Sequence, residues 1–192
     1  MTASESPEAA ARFPAPVRRA VILSGVRGSG KTTLCMELAR SCSDYAGIVC
    51  PNLLDAQGRE TGKSALCLSS GQSWQIARSD TELEGPRVGR FSFSAKGMER
   101  AADCIRAAIR MPDRICVIDE VGPLELDRDM GLAPVLPQFS SAGRLLIVVR
   151  PGLEERISAL IPRHERRSIV LDADMRGGAA REIDSFLRPR LL

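Results

Sequence analysis

The strongest constraint on this chain is Gly25-Val26-Arg27-Gly28-Ser29-Gly30-Lys31-Thr32, a complete Gly-x-x-x-x-Gly-Lys-Ser/Thr phosphate-binding loop. Such a loop works between a strand and a helix, and both neighbours are legible. Arg19 to Leu23 is a short apolar run suited to a buried strand, and residues 32–41 place Leu34 and Leu38 at helical spacing. Gly25, Gly28 and Gly30 let the backbone curl until successive N–H groups aim at one anion, and the following helix N-terminus adds partial positive charge. Lys31 is expected to reach the β- and γ-phosphates and the Thr32 hydroxyl to hold Mg²⁺. Val26, Arg27, Ser29 and Thr33 complete the cradle. The pattern arises by chance in about one of several hundred chains of this composition, so a nucleotide site is the reading that stands.

Length and charge bound the rest. A chain of 192 residues is one α/β domain's worth. Its net charge of +3 is too small to imply a nucleic-acid partner. Six cysteines (Cys35, Cys42, Cys50, Cys67, Cys104, Cys116) contain no C-x-x-C pair, and the single His164 has no ligand-spaced neighbour. Reduced, mostly core thiols are expected rather than a zinc site or disulfides. No apolar signal segment opens the chain and no apolar run reaches membrane-spanning length, so cytoplasmic residence without a membrane partner is expected.

Residues 1–17 are Ala-, Ser-, Glu- and Pro-rich and read as a disordered lead; residues 18–192 read as one domain. Ala46 to Cys50 is a second strand, stopped by Pro51. Residues 57–80 read as a β-hairpin insertion, with a turn at 57–60 and strands at 64–69 and 73–77. Gly85-Pro86-Arg87-Val88-Gly89-Arg90 is a rigid turn. Residues 96–110 form an amphipathic helix along Met98, Ala101, Ile105 and Ile109. Strands at 115–118, 145–149 and 168–171 alternate with helices near 152–161 and 178–188. The fold class is therefore α/β, a three-layer sandwich of a mostly parallel sheet with helices on both faces.

The second constellation is Ile115-Cys116-Val117-Ile118-Asp119-Glu120. Four apolar residues suit a central strand, and the acids fall at its carboxyl end, where ligands of open α/β sheets collect. Asp119 is expected to join Thr32 on Mg²⁺, and Glu120 to take a proton from an attacking water. A helix cap or solvated acid is the alternative for either residue. Neighbouring side chains of a strand face opposite ways, so the two acids share one task only if the strand ends between them.

Asp119-Glu120-Val121-Gly122-Pro123-Leu124-Glu125-Leu126 resembles the D-E-I-G-x-M-E-L signature of the thermophile-type nucleoside-triphosphatase family. Gly85 to Phe91 is similar to that family's G-P-R-V-G-[KR]-[YF] segment, and Gly47 to Pro51 to its second strand. The resemblance covers residues 19–150. It implies a P-loop fold in which an extra strand separates the loop strand from the Asp strand. It also implies a Mg²⁺-dependent enzyme that slowly hydrolyses several nucleoside triphosphates without strong base preference. Two family elements differ here: Val148-Val149-Arg150-Pro151 lacks a His, and Met175-Arg176 stands for an Asn-Arg pair.

Phosphoryl transfer needs positive charge at the γ-phosphate, and Arg27, Arg87, Arg90 and Arg150 are the candidates. Arg87 and Arg90 rank first because Gly85, Pro86 and Gly89 stiffen their turn. Glu125 is expected to orient the loop after Glu120. Trp74 and Tyr45 are isolated and support no nucleic-acid stacking platform, although Trp74 remains open as a base contact. Three functions stay open on the sequence: a nucleoside-triphosphatase with no named protein partner, a nucleotide or small-molecule kinase, and a nucleotide-gated switch.

Overall fold

The structure is a computed structural model that describes residues 17–172, 174 and 176–188. The expected lead at 1–17, except Val17, and Met175 lie outside the described residues. Its frame is five parallel strands: β1 (Arg19–Ser24), β2 (Tyr45–Val49), β8 (Ile115–Val121), β9 (Arg144–Val149) and β10 (Glu165–Val170). They lie in the order β10-β1-β9-β8-β2. β9 separates loop strand β1 from acid strand β8, as the resemblance implies.

Alternation along these strands splits the interior into two cores. Val21 and Leu23 of β1 and Val117 of β8 meet Leu34 and Leu38 of α1 (Lys31–Ser41) and Ile183 of α5 (Arg176–Leu187). Ile22, Ile118 and Ile147 point the other way, toward α2 (Ala95–Ile109), α4 (Glu154–Leu160) and a 3₁₀ helix at Ala133–Ser141. Full burial on both faces explains why these strands read as continuous apolar runs. The expected three layers are present.

Beyond β2 the sheet turns antiparallel. β3 (Asn52–Leu54), β4 (Glu60–Cys67), β5 (Ser73–Arg78), β6 (Arg87–Val88) and β7 (Phe91–Phe93) continue it in the order β4-β5-β7-β6, with β3 on β4. The insertion is thus larger than the hairpin expected at 57–80. β3 and β6 are short and largely exposed, so neither leaves a hydrophobic period to read. Ala65 and Ile76 seat the insertion on Met98, Ala101 and Ile105 of α2. Trp74 donates its indole N–H to the Gly97 carbonyl at 2.8 Å, and the Arg100 guanidinium lies 4.2 Å from its ring centre. Trp74 therefore serves as a clamp within this interface.

The second correction concerns β8. The strand does not end between Asp119 and Glu120 but runs on to Val121, with a register shift against β9 between Ile118 and Val121. Glu120 at the shift has φ 77°, a left-handed conformation that costs a non-glycine residue about 1–3 kcal/mol. The bulge does what a strand end was expected to do: it breaks the strict alternation and re-aims the second acid.

Candidate active site

The phosphate loop closes as expected. Gly25, Gly28 and Gly30 all have positive φ, at 149°, 83° and 91°. α1 begins at Lys31 with no side-chain cap at Gly30 and no acid in its first turn. Its first N–H groups are therefore left for an anion. Ser29 is buried and its Oγ has no hydrogen-bond partner among the described residues, which suits a donor to a phosphate oxygen. The Lys31 ammonium folds back onto the carbonyls of Gly25 (2.7 Å) and Val26 (2.9 Å). Burial lowers its pKa, while the carboxylates of Asp119 and Glu120 act in the opposite direction.

Asp119 is 1% exposed. One carboxylate oxygen accepts from the Cys50 N–H at 2.9 Å, and the nearby Thr32 hydroxyl favours the charged form of the carboxylate. Burial raises its pKa, against the lowering effect of those two donors. A buried carboxylate beside a threonine hydroxyl is a hard oxygen set of the kind that suits Mg²⁺. Among the described residues no group of three or more His, Cys, Asp or Glu is placed to hold a metal ion.

Glu120 turns instead toward the insertion, where it pairs with the ammonium of Lys63 on β4. Lys63 also donates to the Asn52 side chain at 3.2 Å. Glu60, with a side chain only 9% exposed, pairs with both Arg27 of the phosphate loop and Arg90. Arg90 thus comes to the loop, whereas Arg87 is engaged by Glu82 at 2.6 Å on an exposed face. Arg150 sits with Asp119, Glu120 and Lys63 around one cavity. Glu125 caps α3 (Pro123–Arg128): its carboxylate accepts from the Gly122 N–H at 2.9 Å, orienting the turn after Glu120.

Arg176 packs over the loop, where a Cβ on Gly30 would lie 3.1 Å from the guanidinium. Tyr45 is buried with its hydroxyl on Asp184 at 3.2 Å, and His164 is buried on the Ala142 carbonyl at 2.9 Å. Cys35, Cys50, Cys67 and Cys116 are buried, while Cys42 and Cys104 are half-buried. No helix among the described residues is long and apolar enough to cross a membrane.

Sequence reading missed Lys63 and Glu60, whose roles depend on pairing across the insertion. The one signal for Lys63 was its rarity: Lys31, Lys63 and Lys96 are the only lysines among 27 basic residues.

A family model described as NTPase matches residues 20–183. The chain belongs to that family. Relatives include the nucleoside-triphosphatase THEP1 of Methanopyrus kandleri, 30% identical over 81% of this chain and 79% of its own. The THEP1 of Archaeoglobus fulgidus is 30% identical over 87% of this chain and 98% of its own. Among solved structures, a human cancer-related nucleoside triphosphatase matches with a TM-score of 0.68 and 26% identity, covering 91% of this chain and all of that one. THEP1 from Aquifex aeolicus matches with a TM-score of 0.67 at 19% identity over 88% of this chain and 99% of that one, a likeness of fold. The family membership and the α/β P-loop fold expected from the two long motifs both hold.

Proposed function

We propose that this NTPase-family chain is a Mg²⁺-dependent hydrolase of nucleoside triphosphates, ATP and GTP among them, yielding diphosphate and phosphate. The observation that carries the reading is the bulge in β8. It leaves Asp119 buried against Thr32 of the loop while Glu120 opens toward Lys63.

In this reading the loop amides of residues 28–33 and Lys31 hold the β- and γ-phosphates. Thr32 and Asp119 would hold Mg²⁺, which would offset the negative charge that develops on the phosphates. Glu120 orients the attacking water and accepts its proton. Lys63 and Arg90 supply positive charge at the γ end, and Arg90 is preferred to Arg87 because it already shares Glu60 with the loop. Both arginines and Lys63 have acidic partners in this structure, so a polyphosphate would have to compete for them.

The test is phosphate release by pure protein from each triphosphate, with Mg²⁺ and with EDTA. Release from several triphosphates that EDTA stops is the expected result. Tight binding without release would instead make the chain a nucleotide-gated switch.

A further inference from the structure

Beside Glu120 lies a cavity of about 150 Å³ whose lining contains none of residues 25–33. Its body is apolar, walled by Ile76 and Val88 of the insertion, Phe93 of β7 and Met98 of α2. Glu120 and Lys63 also line it, together with Asp119, Glu125 and Arg150. Hydrolysis needs room for one water, about 10–15 Å³ by the same measure, whereas an apolar cavity of about 150 Å³ takes a benzene-sized molecule. The chamber is an order of magnitude larger than its proposed water requires, and most of its wall is apolar. The substrate's own base is not the occupant. A triphosphate held by the loop with its γ end at Glu120 carries its base at the opposite end of the phosphate chain.

We propose that this cavity binds a second substrate, a small alcohol with an apolar body of about one ring, and that the enzyme transfers the γ-phosphoryl group to it. The inference rests on the placement of Glu120 at the γ-phosphate given above. The alcohol oxygen attacks the γ-phosphorus and its proton passes to the Glu120 carboxylate. The bond from the γ-phosphorus to the β–γ bridging oxygen breaks, and its electron pair leaves with the nucleoside diphosphate. The products are a phosphate monoester and the diphosphate, with no oxidant or reductant involved. Water attacking from the same position yields inorganic phosphate, so hydrolysis is the reaction of the empty chamber.

Geometry favours this order of events. Lys63 and Glu120 pair with each other within the chamber lining, and both act electrostatically on Lys31 of the phosphate loop. The hydroxyl of an alcohol whose ring fills the chamber therefore has Glu120, the proposed base, within the same lining. Ring burial supplies the binding and Glu120 takes the proton, a division in which remote contacts position the reacting atom.

The probes are benzyl alcohol and 2-phenylethanol, with ethanol as the control that cannot fill the chamber. Each is incubated with the full chain, Mg²⁺ and ATP, and products are followed by ³¹P NMR. The expected result is a phosphate monoester from the ring-bearing alcohols, at least about tenfold above that from ethanol. Val88→Trp, which fills the chamber from an edge strand, should lower ester formation by about tenfold or more and leave phosphate release without alcohol within about twofold. Met98→Phe fills the chamber from the helix side and serves if the first variant does not fold. Saturation-transfer NMR reports alcohol binding independently of turnover. Phosphate release that persists with no monoester from any alcohol overturns this inference alone, whether or not the alcohols bind. An absence of phosphate release without alcohol sinks the hydrolysis reading instead.

Discussion

Asp119 and Lys63 approach the same space from opposite halves of the sheet, and they are held there by different means. Asp119 sits on a strand buried on both faces, and its carboxylate is fixed by the backbone N–H of Cys50, with the Thr32 hydroxyl nearby. Lys63 and Arg90 sit on or beside an antiparallel insertion with one partly exposed face, and carboxylates hold them in place. The first wall is preorganised: a backbone N–H, rather than a counter-charge, holds its acid. The second is held by ion pairs, which exchange partners readily and weaken with salt where they face solvent. In the proposed reaction the parallel half holds the substrate and the insertion half responds to it.

Substitutions test that division from both sides. On the fixed wall, Lys31→Ala should abolish turnover and lower triphosphate affinity while the thermal transition stays near that of the parent. Turnover near the parent level would break the assignment of the loop. On the responsive wall, Arg90→Ala should lower kcat by about 10³-fold with nucleotide affinity nearly intact, and Arg87→Ala should change kcat far less. Equal losses in steady-state kinetics would mean that pairing with Glu60 does not mark the working arginine.

The two acids of the bulge divide the same comparison more finely. Glu120→Gln should lower kcat by ~10²-fold or more and preserve Mg²⁺–triphosphate binding. Asp119→Asn should shift the Mg²⁺ titration of activity to higher concentration. Wild-type hydrolysis by Glu120→Gln would reduce Glu120 to a structural acid.

Backbone strain predicts a smaller effect. Glu120→Gly and Glu120→Ala both remove the carboxylate, but only glycine adopts φ 77° freely. Denaturant unfolding should find the glycine variant more stable than the alanine variant by about 1 kcal/mol. Equal stabilities would show that the bulge carries no strain.

The smallest effect is at Glu125, where burial is the main cause of a pKa pushed up to about 7 from the ordinary 4.5. Between those values the native state keeps a proton that the unfolded chain has lost, so this group's contribution to stability falls as pH rises through that window. Glutamine mimics the protonated form. The melting temperature of the wild type should therefore gain on that of Glu125→Gln as pH is lowered from about 8 to about 5. A difference that does not change with pH would place Glu125 in a wetter setting than its cap on Gly122 implies.

Local and periodic features are legible in the amino-acid sequence. The phosphate loop, the helix behind it, the apolar strands and the amphipathic α2 announce themselves within windows of a few residues, because glycine conformation and side-chain periodicity are local properties. The acidic pair is legible too, since chain order alone puts it at the carboxyl end of a buried strand. What decided its geometry is not local. A bulge arises only when β8 is registered against β9, and nothing within Asp119-Glu120 specifies that partner. The pairings of Lys63 with Glu120, and of Glu60 with Arg27 and Arg90, likewise join residues 30 or more apart in sequence. Side chains so distant along the chain meet only after the insertion has docked on α2. The sequence by itself determined that a phosphate is held and which strand carries the acids; only the tertiary structure decided which cations face those acids, because charges pair by distance in space.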